Sequence, residues 1–544
     1  MSYLAIAMDI GTSGIRAQAV NLTGQEIIST VITARHPLPG ANVIDHLHFA
    51  LEIGVSAAHD ILLQSINLMI DRLGIESTDV CRLAVCGNPI QLSLFQGIEI
   101  RDLAFAGKRK QQSLAIEVPK REALITHANM IQGLNLPDLC EVIIPPAVEH
   151  EIGADALAMI IQSNMQDTAE TALITDYGTN AEMALIHQGR IYSGSTAAGP
   201  ALEGQQISSG MLATPGAIVD LVSEPPYHRL MVLNDDMQIV KGALVDITKG
   251  DIIDASSEYQ AIGLTGTGTI ATIFQAIVAG LIKKPHIMTH DHQINLGEEI
   301  RFTEKDFIEA GKAIGSVRSG HITLCHEAGI SASEITTVYM SGASGTYMDA
   351  LKAQKLGMFP AHVKKVCQIG NTSLAMARDL LFAPDKLEEM NRLAKHLKQY
   401  HCMFATSPIF KKVFMLELSF WTEGMPLTLY QRFLRKYGLP ELDQDFSQPE
   451  IIHTVEQDIN DMGKQGLITL TDIGQKLVTQ MQGCVACHTC VNECPETALH
   501  ISFNQGLAYM NLDQSLCDGV ACRRCERVCQ DQVFHFNQFF KGHE

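Results

Sequence analysis

Near the start of the chain, apolar and polar positions follow a period of two. AIAMDI (Ala5 to Ile10) is an almost unbroken apolar run of strand length, which predicts a strand buried on both faces. GTSG (Gly11 to Gly14) turns the chain. IRAQAV (Ile15 to Val20) then sets Ile15, Ala17 and Ala19 on one face and Arg16 and Gln18 on the other, a second strand. NLTG (Asn21 to Gly24) turns again into QEIISTVIT, a third. A P-loop or a dinucleotide-binding turn would open into a helix; this glycine turn opens into a strand. LITDYGTNAEMALIHQGRIYSGS (Leu173 to Ser195) repeats the order of strand, Asp-x-Gly-Thr turn, strand, turn, strand. The period changes to helical in FALEIGVSAAHDILLQSINLMIDRLG (Phe49 to Gly74). Its stripe of Leu51, Val55, Ala58, Leu62, Ile66, Met69 and Leu73 predicts one core-facing helix.

The repeat places Asp9 with Asp176, and Gly11-Thr12 with Gly178-Thr179. A duplication of this kind predicts two similar lobes with a cleft between them. Backbone N–H groups at Gly11, Thr12, Ser13 and Gly14, and at Gly178, Thr179 and Asn180, are suited to clasping phosphates. The two aspartates suit Mg²⁺ held through its waters. A third glycine site follows in TVYMSGASGTYMDALKAQKLG (Thr337 to Gly357), read as strand, small-residue loop, helix. There Gly342, Ala343 and Gly345 leave room for a nucleoside to approach the backbone. This order resembles the actin, Hsp70 and sugar kinase superfamily, which implies ATP with Mg²⁺ as the ligand.

At 544 residues the chain is too long for one domain. We expect a first lobe over 1–165, a second over 166–425, a linker over 426–480 and a terminal domain over 481–544. The linker is more polar and carries Pro440 and Pro449. A net charge of −20 argues against nucleic acid or an anionic membrane as the main partner. The longest apolar stretch, TIATIFQAIVAGLI (Thr269 to Ile282), falls short of the roughly 20 residues a spanning helix needs. No secretory signal is read, and the expectation is a soluble cytoplasmic protein without membrane insertion.

Of the 14 cysteines, Cys81, Cys86, Cys140, Cys325, Cys367 and Cys402 are scattered and read as core thiols. The rest form two runs. Cys484-x2-Cys487-x2-Cys490-x3-Cys494-Pro495 matches the bacterial [4Fe–4S] pattern, and Cys517-x4-Cys522-x2-Cys525-x3-Cys529 is a looser second copy. By the rule that the fourth cysteine of each run serves the other cluster, one cluster takes Cys484, Cys487, Cys490 and Cys529. The other takes Cys517, Cys522, Cys525 and Cys494. Alternation around Asn504-Gln505-Gly506 predicts a hairpin between the runs. The tail therefore reads as an α+β two-cluster ferredoxin domain behind a duplicated α/β two-lobe fold. Structural zinc is the weaker reading, since zinc does not favour the close four-cysteine run.

Further stretches are similar to one family, the ATP-dependent reductive activators of corrinoid proteins. They are AAGPALEGQQISSGMLATPGAI (Ala197 to Ile218), AIGLTGTGTIATIFQAIVAGLI (Ala261 to Ile282), KDFIEAGKAIGSVRSGHITLCHEAGI (Lys305 to Ile330) and QIGNTSLAMARDLL (Gln368 to Leu381). The cysteine-rich tail resembles that of the methanogen branch serving methylamine methyltransferase systems. The resemblance implies ATP-dependent, one-electron reduction of an inactive Co(II) corrinoid protein to Co(I), fed by a low-potential donor. About 10 kcal/mol from a nucleotide corresponds to roughly 400 mV of one-electron driving force. Closure of two lobes on ATP is the expected bistable element. Glu203, inside GPALEG, is carried as a catalytic candidate facing the corrinoid; a loop-structuring carboxylate is the equal alternative. His286, His290 and His292 read as a solvated loop, and GKRKQQ (Gly107 to Gln112) as a solvated basic face. Rival readings are an activator of a radical dehydratase, a small-molecule kinase fused to a ferredoxin module, and a non-catalytic docking carrier.

Overall fold

The computed structural model describes residues 3–105, 107–148, 152–255, 259–297, 299–443, 445–494, 496–504 and 506–540. Pro495 and Gln505, read above in the cysteine run and the hairpin turn, lie outside the described residues. The chain forms two compact units, one of 1–146, 377–385 and 463–544 and the other of 147–376 and 386–462.

In the first unit, β1 (Leu4–Ile10), β2 (Ile15–Asn21), β3 (Glu26–Thr33), β4 (Val80–Gly87), β5 (Leu124–His127) and β6 (Glu141–Ile144) share a sheet with Leu467–Leu470. The order among the described residues is Leu467–Leu470, β3, β2, β1, β4, β6, β5. β1 pairs antiparallel with β2, Asp9 opposite Arg16, and parallel with β4, Ile10 opposite Gly87. Every residue of β1 is buried, as expected of an apolar strand with a neighbour on each side and cover on both faces. The stripe read as one helix is two, α1 (Val43–Ile53) and α2 (Val55–Arg72). Gly54 separates them at φ 104°, a conformation glycine adopts without strain. Of the stripe, Ala58, Leu62, Ile66, Met69 and Leu73 are buried as expected, while Leu51 and Val55 are half-buried.

The tail belongs to this unit. Lys476–Met481, Leu507–Asp513 and Leu499–Asn504 form an antiparallel sheet in that order. The cysteines sit in the loops and short helices around it. Three kinds of contact hold the tail to the segment around α1. The Gly40 N–H donates to the Cys517 carbonyl at 2.9 Å. Glu52 meets Arg523 and Asn537. Phe49 packs edge-on against Phe540 with ring centroids 5.2 Å apart.

In the second unit, β7 (Ala172–Asp176), β8 (Asn180–His187) and β9 (Arg190–Ala197) repeat the antiparallel meander of β1 to β3. The sheet order is Glu450–His453, Lys365–Gly370, Thr337–Ser341, β7, β8, β9. Residues 426–480, expected to be a linker, carry a helix at Leu427–Lys436 and one edge strand for each of the two large sheets. The small-residue stretch expected as a loop after Ser341 is instead the helical turn Gly342–Tyr347. A long helix, Glu304–Ala328, starts in a capping box between Thr303 and Asp306 and ends at left-handed Gly329. It packs on Pro408–Trp421, where Arg318 Nε donates to buried Glu417 at 2.9 Å and Tyr430 also donates to that carboxylate. Beside this pair the ammonium of Lys284 lies over the rings of Phe420 and Trp421, 3.6 and 3.8 Å from their centroids. Burial brings the Lys284 pKa down to about 7, with Glu417 opposing.

Among the described residues no helix is long and apolar enough to cross a membrane. The scattered cysteines are mostly in the core: Cys86, Cys140, Cys325 and Cys367 are buried, while Cys81 and Cys402 are half-buried.

Arg318→Met leaves the Glu417 carboxylate buried without its guanidinium. The expected loss is about 3–5 kcal/mol of unfolding free energy by denaturant titration. Pairing it with Glu417→Met should recover most of that loss.

Candidate functional site

Each repeated turn begins where a buried strand ends. At the end of β1, Asp9 is 6% exposed, and Arg16 on the paired strand brings Nη1 to 3.6 Å from its carboxylate. Ser13 and Gly14 are buried, and Gly11 and Thr12 half-buried. The Thr12 hydroxyl accepts from Asn88 Nδ2 at 3.1 Å. Asn88 also caps α3 (Pro89–Gln96), its Oδ1 accepting from the N–H groups of Ile90 and Gln91. This residue was missed by the sequence reading, although Asn followed by Pro is a helix-start signal.

At the end of β7, Asp176 stands opposite Ser341 of the neighbouring strand. Gly342, next along, has φ 80°, and a Cβ there would lie 2.3 Å from Asp176 Oδ1. The third glycine site is thus packed directly on the second aspartate, and Gly345, whose Cβ would meet the Met340 backbone at 2.8 Å, keeps the following turn close. Thr179 donates twice to Glu203, from its N–H at 3.0 Å and from its hydroxyl. Glu203 lies beside Gly178 as well. Its carboxylate is therefore engaged in shaping the turn that holds Gly178, Thr179 and Asn180. Behind the turn, His321 Nε2 is 2.7 Å from Thr175 Oγ1. Burial, and then Arg318, lower the His321 pKa to about 3, so the ring is neutral.

Glu182, a lone acid inside the apolar run of β8, was also missed. It is buried and accepts from Ser195 Oγ at 3.3 Å. Burial first, then the carboxylates of Asp155 and Asp176, hold its pKa well above the ordinary value.

The tail cysteines fall into neighbourhoods. Burial, and then the thiols of Cys529 and Cys484, push Cys490 up. Burial pushes Cys517 up, with Cys525 and Cys494 adding to it. Cys525 is pushed up to about 12 by burial, with Cys494, Cys522 and Cys490 as neighbours. Cys487 is exposed, and Thr489 Oγ1 donates to its sulfur at 3.3 Å. The N–H groups of Ala486 and Gly519 donate to Cys484 and Cys517 at 3.4 and 3.3 Å. Elsewhere, His286 and His292 lie exposed at 3.4 and 3.7 Å from Glu304, and Lys108–Ser113 is a short helix with no buried residue.

Two duplicated strand–turn–strand units with a glycine helix on the second aspartate define an actin- and sugar-kinase-type fold. The profile described as the C-terminal domain of RACo, the ASKHA domain, matches residues 170–431, and the RACo middle region matches 4–168. The chain is 47% identical over 516 residues to the [Co(II) methylated amine-specific corrinoid protein] reductase of Methanosarcina barkeri, covering 95% of each. It is 24% identical over 442 residues to the corrinoid activation enzyme RamQ of Eubacterium limosum, covering 76% of this chain and 70% of that one. A solved reductive activator for a corrinoid, iron–sulfur protein shares the fold, with a TM-score of 0.63 and 21% identity over 77% of this chain and 66% of the other. The chain belongs to the family of reductive activators of corrinoid proteins.

Glu182 gives a pH test. The folded state keeps its proton above the pH, near 4.5, at which the unfolded chain loses it, so stability falls as pH rises through that window. Glu182→Gln should stabilise the protein at pH 7 and leave it unchanged at pH 4. The gain should be about 1.4 kcal/mol for each pH unit of the window, read from denaturation at both pH values.

Proposed function

We propose that this protein is an ATP-dependent reductase that returns inactive Co(II) corrinoid proteins to Co(I), its partners being corrinoid proteins of methylamine methyltransferase systems. The observation that carries the reading is 47% identity spanning 95% of both chains with a reductase of that named specificity.

The repeated turns are assigned to Mg-ATP, as an actin- and sugar-kinase-type fold implies. Asp9 and Asp176 are each candidates for holding Mg²⁺ through its waters, as that ion prefers. The N–H groups of Gly11 to Gly14 and of Gly178 to Asn180 would take phosphate oxygens. Gly342, Ala343 and Gly345 would face the nucleoside, with Gly342 holding that turn directly against Asp176. Glu203 acts in this reading as a positioning residue through Thr179.

The tail is assigned two [4Fe–4S] clusters in a ferredoxin-like domain over 481–544. The neighbourhoods of Cys490 with Cys484 and Cys529, and of Cys517 with Cys525 and Cys494, support the crossed ligand scheme, and Cys490 also lies near Cys525 of the other set. N–H donation to Cys484 and Cys517 is the kind of contact that tunes cluster potential. Such clusters supply one-electron transfer, and an as yet unidentified low-potential donor would feed them.

Asp9→Ala and Asp176→Ala should each lower ATP-dependent Co(II) reduction by 100-fold or more, on the order of the loss of a phosphate-positioning group, with iron content retained. Wild-type rates in either variant would contradict the nucleotide assignment. Cys490→Ala should leave about four of about eight irons; full iron content would contradict the ligand scheme.

A further inference from the structure

Three buried side chains in the first unit lie between the Thr12 turn and the tail, and the assignments above use none of them. His36, His46 and Gln91 are 4%, 0% and 0% exposed. Gln91, on α3, donates from Nε2 to His46 Nδ1 at 2.7 Å. His46, on α1, stacks on His36 with ring centroids 4.2 Å apart. His36 Nδ1 accepts from the Leu38 N–H at 3.1 Å. With both Nδ1 atoms accepting, both rings carry their proton on Nε2. Burial lowers the pKa of each, that of His46 to about 4, so the pair is neutral.

Each end of this group is tied to a part already described. Asn88 caps the helix that carries Gln91 and grips Thr12 with the same side chain. His46 shares α1 with Glu52 and Phe49, which hold Arg523 and Phe540 of the tail. Two residues beyond Leu38, the Gly40 N–H donates to the carbonyl of Cys517.

The group is also unfinished. By strict hydrogen-bond geometry His36 Nε2, His46 Nε2 and Gln91 Oε1 are buried without a partner among the described residues. Gln91 nevertheless lies close enough to His36, and the Gly40 backbone close enough to His46, to oppose the lowering of their pKa values. Two of the three atoms are donors and one is an acceptor, and Gln91 touches both rings. A modest rotation of the amide or a ring can therefore trade one unsatisfied set for another. That supplies the discrete alternative arrangement that coupling between two sites requires.

We infer that His36, His46 and Gln91 form a two-state link through which nucleotide at the Thr12 turn changes the setting of the cysteine loop at Cys517. The three are positioning residues. The inference rests on the assignment of Mg-ATP and of the clusters.

Because coupling is reciprocal, it is readable as affinity. The fully loaded protein is titrated with Mg-AMPPNP in its oxidised form and again after reduction with dithionite. The expected ratio of the two affinities is about tenfold, equivalent to about 59 mV in the potential of one cluster. The paramagnetic resonance signal of one reduced cluster should change on nucleotide binding. In Gln91→Leu and His46→Phe the ratio should fall to near one, with iron content and nucleotide binding retained. His46→Asn, which keeps an acceptor near the Nδ1 position, should restore part of it. Hydrogen exchange of the Gly40 amide in the wild type needs no variant and should change several-fold with nucleotide.

Equal affinity in the two redox states, with nucleotide bound and iron present, overturns the link. So does a full ratio in the variants, or Gly40 exchange unaffected by nucleotide. Failure of the wild type to bind nucleotide or iron overturns the functional assignment instead.

Discussion

A strand with neighbours on both sides can only be left through its end. β1 and β7 are interior strands, and each must pass at once into an antiparallel partner. The turn between them has to be short, glycine-bearing and fastened from outside, and the last strand residue is forced to the rim of the sheet. That constraint puts Asp9 and Asp176 at the head of a turn and leaves Thr12 and Thr179 as the residues to be fastened. Asn88 fastens the first and Glu203 the second. The two fastenings are chemically unlike: an amide that also caps a helix, and a carboxylate that takes two donors from one threonine. The duplicated halves have therefore kept the turn and diverged in what braces it.

The same economy appears in the tail. A small cysteine-rich domain has little apolar surface to bury, and here part of its anchorage comes from α1 through Phe49, Glu52 and the backbone of Gly40. The strand Leu467–Leu470, just before the tail, adds to the β3 edge of the same sheet. The cysteine-rich tail and the Thr12 turn are thereby fixed within one compact unit, with buried polar side chains between them. Nucleotide binding energy reaches a redox centre only if the two share an element with more than one stable arrangement. An ordinary flexible linker over 426–480 would not have supplied one.

What was legible in the sequence followed from period and from turn chemistry. An apolar run set β1, alternation set β2, and the paired Asp-x-Gly-Thr turns exposed the duplication and with it β7, β8 and β9. Other features were hidden for identifiable reasons. Gly54 sits inside an otherwise regular helical stripe, and only its backbone angle shows that the stripe breaks there. EIIH and LITL, the edge strands of 426–480, are four residues long and pair with strands distant in the chain, so local pattern carries no trace of their partners. The Gln91–His46 bond joins residues 45 apart, and neither is unusual in its own segment. Glu182 did leave a mark, as the one acid in an apolar strand. For Glu203 the sequence left a catalytic and a loop-shaping role equal, and the structure adds two bonds to its carboxylate from Thr179.

The central claim is that nucleotide makes a cobalt reduction proceed that the tail alone cannot complete. The most direct measurement is anaerobic visible spectroscopy of a Co(II) corrinoid protein mixed with this one and a low-potential reductant, with and without Mg-ATP. The account predicts a Co(I) band that grows only when Mg-ATP is present. A Co(I) band of equal size and rate without nucleotide, or none while ATP is consumed, would contradict it.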